Sequence, residues 1–427
     1  MSRSASSGSS PLRRPENMVH HTMNTNRSSA PSASSNNKVM ADGIEGMNRL
    51  ARWAVAAGIV GSLAACAVGP RVVPEPRPEV PAPQAAMGPA AKQHSKSRWV
   101  PVDWTALPGW GQDGLHEAWN ALLQGCDRPA PGFEAVCAEA RPLAFADAAR
   151  QQAWMQERLQ PYRVLEADGR EPDGLLTGYY EPIMDATREP TATHRVPLYG
   201  VPAGLPATAS GQRWYTRQQI DTLPEAQAAL RGRAIAWLAD PIDALILQIQ
   251  GTGRVNLTEP DGRVRQVRLA FAAHNGHTYQ SVGRWLLDQG AIREASWESI
   301  KAWARQNPER LNEMLWSNPR TVFFKEDPLS PLDARFGPRG AQGVPLTPGR
   351  SIAVDPQSIP YGTPVWLATQ GPALVANRLV LAQDTGGAIL GAVRADLFTG
   401  WGGWNDEAYR QAATLKQPLR LWVLWPR

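Results

Sequence analysis

The stretch Leu379-Val-Leu-Ala-Gln-Asp-Thr-Gly-Gly-Ala-Ile-Leu-Gly-Ala-Val-Arg-Ala-Asp-Leu-Phe-Thr-Gly400 decides how this chain is read. Leu379 to Ala382 is an unbroken apolar run of strand length, the pattern of a buried strand. It delivers Asp384 into a Gly386-Gly387 turn, and a second strand-like piece carries Asp396 with Phe398 behind it. Short strands joined by glycine turns bring two carboxylates, separated in sequence, to one wall of a barrel. A carboxylate near a second negative group, or in an apolar site, has its pKa raised and stays protonated closer to neutral pH. A general acid requires that property.

Working outward, the last hundred residues read as strands and turns: Val322–Phe324, Ser351–Val354, Pro364–Ala368, Arg378–Ala382 and Arg420–Leu424. Many short strands with Gly/Pro turns predict a small barrel. Upstream, Ala244–Gln250 is expected to be a central strand ending at Gly251-Thr-Gly253, and Val264–Phe271 a second one. Helices are expected within 277–289, after Ser296 as N-cap, and after Asn307-Pro308. Residues 100–165 show helical periodicity in two pieces, one around Leu115–Leu122 and one over Ala144–Leu159. Gly174 to Pro182 then switches to strand.

The N-terminal part has a different character. Residues 1–46 are rich in Ser, Asn and Pro and are expected to be disordered or a mis-called extension. Residues 47–65 carry Arg49 and Arg52, then an apolar run from Trp53 shorter than a spanning helix needs, and are expected to be a lipoprotein signal peptide. Leu63-Ala-Ala-Cys66 resembles a bacterial lipobox, which implies lipidation of Cys66. Ala67 after it points to the outer membrane, with the chain facing the periplasm. Residues 66–97 form a Pro/Ala-rich tether. Cys126 and Cys137 are the remaining cysteines, and their short spacing fits one disulfide in an oxidising compartment.

With 427 residues, 43% hydrophobic and 19% charged, the chain has the composition of a soluble globular protein long enough for two domains. A net charge of +5 without any Lys/Arg block gives no sign of a nucleic-acid partner.

Taken singly, Asp355, Asp384 and Asp396 each have a turn-forming or structural reading. Together with their surroundings they form a pattern. Gly343-Val-Pro-Leu-Thr-Pro-Gly-Arg-Ser-Ile-Ala-Val-Asp-Pro356, Ile359-Pro-Tyr-Gly362, Asp384-Thr-Gly-Gly-Ala-Ile389 and Arg394-Ala-Asp-Leu-Phe398 resemble the three-aspartate domain, a double-psi β-barrel. Thr177-Gly-Tyr-Tyr-Glu-Pro182, Leu247-Gln-Ile-Gln-Gly-Thr-Gly253 and Asn275-Gly-His-Thr-Tyr-Gln-Ser-Val-Gly-Arg284 resemble blocks of the membrane-bound lytic murein transglycosylase A family. The resemblance spans roughly residues 100–427.

What it implies is a mainly β fold with helices. Residues 98–194 and 335–427 would form the double-psi barrel domain, residues 195–334 an inserted β-rich domain, and a glycan groove would run between them. It further implies non-hydrolytic cleavage of the bond between N-acetylmuramic acid and N-acetylglucosamine in peptidoglycan, leaving 1,6-anhydro ends. Asp396 would be the single acid/base, Asp384 its neighbour, and Asp355 a structural turn residue. Thr177, Gly178, Tyr179, Tyr180, Gln248, Gln250, Thr252 and Gly253 are the expected substrate-binding residues. No cofactor or metal is implied. Expected partners are glycan strands, membrane lipid through Cys66, and, as a candidate, a cell-wall synthase complex.

Competing readings are a hydrolytic muramidase and a non-catalytic wall-binding lipoprotein. An aspartic protease would need two Asp-Thr-Gly loops, and the chain has one. His274-Asn-Gly-His277 is expected to be a turn rather than a metal-ligand pair. Leu390 stands where the family commonly has a basic residue, which bears on contact with the peptide stem.

Overall fold

The computed structural model describes residues 88–207 and 210–427. The expected extension, signal peptide, Cys66 and most of the tether lie outside them. The strands in chain order are β1 (Lys92–Gln93), β2 (Ser97–Pro101), β3 (Leu159–Glu166), β4 (Leu175–Thr187), β5 (Val196–Tyr199), β6 (Ala234–Leu238) and β7 (Thr252–Thr258). They continue as β8 (Val264–His274), β9 (Val322–Pro328), β10 (Ser351–Val354), β11 (Pro364–Gln370), β12 (Val375–Asp384), β13 (Arg394–Gly402) and β14 (Lys416–Pro426).

Six strands close on themselves in the order β10-β12-β11-β14-β4-β13 and back to β10. Two of these pairings, β10 with β12 and β13 with β4, are parallel and the rest antiparallel. This is the double-psi barrel. Closure removes the open edges that a small sheet would expose.

Side-chain alternation explains the apolar runs. On β12, Val380 and Ala382 point into one core while Leu379 and Leu381 point into another. β11 divides in the same way, with Val365 and Leu367 inside the barrel and Trp366 and Ala368 outside. The outer face is covered by the helices Leu115–Gly125, Glu134–Ala140 and Ala148–Arg158, so both faces of these strands are dry. Arg350, on the barrel, anchors the first helix through Asp113 (2.7 and 2.9 Å) and Glu117 (2.7 Å). Cys126 and Cys137, at the end of the first helix and within the second, are disulfide-bonded with Cα atoms 5.3 Å apart.

β4 belongs to two sheets. Its first half, through Pro182, pairs with β13, and from Ile183 onward it pairs with β7. The second sheet runs β4-β7-β8-β9, with β6 and β5 off the end of β4. The handover therefore lies inside a continuous strand, upstream of the boundary expected at 194/195. A strand that serves both sheets fixes them to each other.

Two further expectations change. Ala244–Gln250 is not a strand but part of a helix, Pro241–Gln250. Asp240 accepts a hydrogen bond from Ile242 N at 2.8 Å, Pro241 occupies the first turn, and Gly251 ends the helix at φ 77°. Those are start and stop signals of a helix, and a short apolar run cannot by itself distinguish the two states. The tether ends sooner than expected, because Lys92–Gln93 already pairs with Ser97–Pro101 side by side. The helical piece expected over Ala144–Leu159 is found as Ala148–Arg158, after which β3 begins. Ser296 caps Trp297–Gln306 as expected, accepting from Ser299 N. Among the described residues no helix is long and apolar enough to cross a membrane.

Candidate active site

Register across the barrel wall brings the two aspartates of the opening stretch together. Ala353 on β10 is paired with Asp384 on one side and with Asp396 on the other, and Asp396 is paired in turn with Thr177 on β4. A shift between Ile352 and Ala353 sets this alignment with β12. Directly paired residues face the same way, and neighbouring strands lie about 4.8 Å apart, so the two aspartate Cα atoms stand roughly 10 Å from each other. Asp355, just beyond, turns away. It is buried, accepts from Gln357 N at 3.0 Å and Gly391 N at 2.9 Å, and so ties its own turn to the loop after β12.

Beneath the row lies an apolar floor of Tyr179, Leu346, Ala353, Ile389 and Phe398. The rings of Tyr179 and Phe398 are 5.4 Å apart, as their cross-strand pairing requires. This floor withdraws water from the carboxylates. Asp396 is only partly exposed and its pKa is pushed up to about 6. Burial is the main cause; the Thr177 hydroxyl and the Arg394 charge pull it back down, and Asp384 adds a smaller upward push. The expected like-charge effect of Asp384 is thus present but secondary to desolvation.

The contacts of each carboxylate differ. Thr177 Oγ1 donates to Asp396 Oδ1 at 2.5 Å and accepts from Arg394 Nη2 at 2.9 Å. Among the described residues, Asp396 Oδ2 has no hydrogen-bond partner. Asp384 has both oxygens engaged, Oδ2 by the Tyr179 hydroxyl at 2.7 Å and Oδ1 by Ala341 N at 3.0 Å. Its pKa is also raised by burial, against the opposing pull of those donors. Gly340 makes this approach feasible, since a Cβ there would lie 2.4 Å from Gln383 O and 3.2 Å from Asp384 Cβ.

Other expected substrate-binding residues take different places. Tyr179 is buried and holds Asp384, so it is not a stacking platform. Thr177 serves Asp396. Gly178 has no room for a side chain, because a Cβ would meet Ala412 Cα at 2.8 Å. Gln248 accepts from the buried Arg217 at 2.7 Å, and Gln250 accepts from Tyr180 N at 3.2 Å, so both lock the helix Pro241–Gln250 in place. Thr252 is buried and donates to Glu181 at 3.3 Å, while Gly253 packs under Leu247. Strand-end geometry suggested exposed amides; the helix that replaces the strand turns them inward.

Tyr180 is buried against Tyr409 but reaches a cavity of about 280 Å³ between barrel and insert. Asp185, Asp243, Lys301 and Trp404 also line it, whereas Asp396 does not. His274 accepts from Gly276 N, and His277 Nε2 lies 2.9 Å from Trp214 O; both shape the turn.

Sequence reading missed the charges at the handover. Glu181, fully buried, accepts from Arg254 Nε at 2.8 Å and Arg268 Nε at 2.5 Å. Both arginines also donate to Phe336 O, which fixes the segment returning to the barrel. A Glu next to Pro182 and alternating Arg on β8 were the available signals. Arg394, two residues before Asp396, likewise carried no predicted role.

Comparison with known proteins agrees with this architecture. Residues 175–325 match the MltA specific insert domain and residues 350–425 the 3D domain. The chain is 30% identical over 264 residues to membrane-bound lytic murein transglycosylase A of Vibrio cholerae, covering 58% of this chain and 65% of that relative. It spans about 65% of the length of the curated relatives it matches. Among solved structures, a lytic transglycosylase of Burkholderia pseudomallei, LtgG, is 42% identical, with 79% of this chain and 100% of that one covered and a TM-score of 0.53. MltA from Neisseria gonorrhoeae is 29% identical, with 79% and 94% covered and a TM-score of 0.64.

Proposed function

Because the chain belongs to the membrane-bound lytic murein transglycosylase A family, we propose that it cleaves peptidoglycan glycan strands without water, with Asp396 as its single acid/base. Protonated Asp396 gives its proton to the glycosidic oxygen between N-acetylmuramic acid and N-acetylglucosamine. The resulting carboxylate then accepts the proton of the muramic acid C6 hydroxyl as that oxygen attacks C1. The C1–leaving-group bond breaks, a 1,6-anhydro ring closes, and Asp396 returns to its protonated state. An attacking hydroxyl already on the same sugar has a high effective molarity, so no second carboxylate has to hold a water.

The observation that carries this reading is the contrast within the pair. Asp396 has a raised pKa and one oxygen without a partner among the described residues, whereas Asp384 has both oxygens held. Asp384, fixed by Tyr179, acts as a local charge that tunes its neighbour. At a pKa of about 6 the acid form dominates below pH 6, and the rate falls tenfold per unit well above it.

Within the same proposal, the charged, apolar and small-residue order of residues 47–66 supports lipidation at Cys66 and an outer-membrane anchor facing the periplasm. Mass spectrometry of fragments released from purified sacculi tests the reaction. Anhydro ends are expected; reducing ends would make the protein a hydrolase, and no release would make it a wall-binding lipoprotein.

A further inference from the structure

We infer that Arg394 is a positioning residue for this reaction: by holding the Thr177 hydroxyl it makes Asp396 Oδ1 an acceptor only and leaves the transferred proton to Oδ2. The inference rests on the transglycosylase reading above. Its basis is the direction of three hydrogen bonds. Arg394 Nη1 donates to Ala395 O at 2.5 Å and Leu175 O at 3.4 Å, backbone groups of β13 and β4, which are paired there. Nη2 donates to Thr177 Oγ1 at 2.9 Å. All three bonds go elsewhere than Asp396, so the guanidinium stands near the acid without forming an ion pair with it.

A hydroxyl oxygen that accepts from a fixed cation has its own hydrogen turned away from that cation. Thr177 turns it onto Asp396 Oδ1, 2.5 Å away. An oxygen receiving such a bond is the poorer site for a proton. The acid form therefore carries its hydrogen on Oδ2, the oxygen with no partner among the described residues. The arrangement also keeps Asp396 acidic enough to let go. A direct Arg–carboxylate fork would hold it ionised, and an apolar wall alone would keep it protonated. The charge of Arg394, one contact removed, leaves the carboxyl between those limits.

Other groups face Asp396 from the surrounding strands. Asp384 lies across Ala353 and, after burial, its charge raises the pKa of Tyr361; Tyr179 lies on β4; Lys416 on β14 is paired with Thr177. Asp384, Tyr179 and Tyr361 are unchanged in the variants below, so a movement in acidity is assignable to the Arg394–Thr177 pair.

The test measures kcat/KM on sacculi against pH, together with the carbon-13 titration of the Asp396 carboxyl in aspartate-labelled full-length protein, assigned with Asp396→Asn. Arg394→Gln is expected to move the falling limb and the titration upward by about one pH unit or more. Thr177→Val should do the same and Thr177→Ser should restore the wild-type midpoint. Arg394→Lys should keep the midpoint near that of wild type while losing about tenfold or more in kcat, since the fork that aims the hydroxyl is gone. Should Arg394→Gln fail to fold, Thr177→Val carries the same expectation. Active variants whose limb and titration stay at the wild-type position overturn the inference alone. A wild type that releases nothing from sacculi overturns it together with the transglycosylase reading.

Discussion

Two carboxylates on adjoining parts of the same wall have opposite fates. Glu181 sits on β4 where the sheets hand over, with no exposed surface and both oxygens bonded to arginine. Asp396, on the strand beside it, is partly exposed, has one oxygen bonded to a neutral hydroxyl, and keeps the other free among the described residues. Both are surrounded by protein. In the proposed reaction, what separates a structural charge from a working acid is how far its bonding is completed: full pairing ties a carboxylate into the fold, and partial pairing leaves an oxygen open to a proton.

The largest expected effect breaks the structural side of this contrast. Glu181→Ala leaves two arginines, Arg254 and Arg268, buried without their anion. Loss of one partner from such a cluster costs about 3–5 kcal/mol, so chemical denaturation should show a loss of that size or an unfolded protein. Retention of wild-type stability would mean the cluster is solvated. Replacing both Cys126 and Cys137 with Ser should cost about 3 kcal/mol, read in the same assay, because the bridge closes a short loop in the unfolded chain.

The working side should respond with the opposite sign. Asp396 has a folded pKa of about 6 against an ordinary 3.8, so folding binds its proton more tightly. The group therefore imposes no penalty below pH 4, an increasing one between 4 and 6, and its full cost above 6. At roughly 1.4 kcal/mol per unit that cost is about 3 kcal/mol. Asp396→Asn should recover it near pH 7 and gain nothing at pH 4, as measured by urea unfolding across that range. A variant stabilised equally at both pH values would refute the assignment of the penalty to ionisation.

A smaller effect sharpens the comparison between Asp396 and Asp384. Tyr179→Phe leaves Asp384 Oδ2 without its donor and the ring packing on Phe398 intact. About 1–3 kcal/mol of stability should be lost at neutral pH, and the loss should shrink as acid protonates Asp384. A double-mutant cycle with Asp384→Asn would show whether the two residues act as a unit.

Much of this was legible in the chain itself. The Leu379–Ala382 run and the two aspartates after it define the wall because strand alternation and glycine turns are local properties. The resemblance of whole motifs pointed to Asp396, the residue the proposed reaction uses as its acid. What was not legible depended on long-range register. Thr177 and Tyr179 look like groove residues until β4 is laid beside β13, when one reaches Asp396 and the other Asp384. The helix Pro241–Gln250 was misread because its apolar run outweighed its caps, and Gln248 and Gln250 were misassigned with it. Glu181 escaped notice because its partners, Arg254 and Arg268, lie on two strands of the other sheet.

The central claim is that one carboxyl group, on Asp396, both gives and takes the proton. The most direct test is the rate of fragment release from sacculi by Asp396→Asn at pH 5–6, with folding verified by its expected gain in stability at neutral pH. A folded variant slower by on the order of 10³-fold or more is the predicted result. A folded variant that releases anhydro fragments at the wild-type rate would contradict the account.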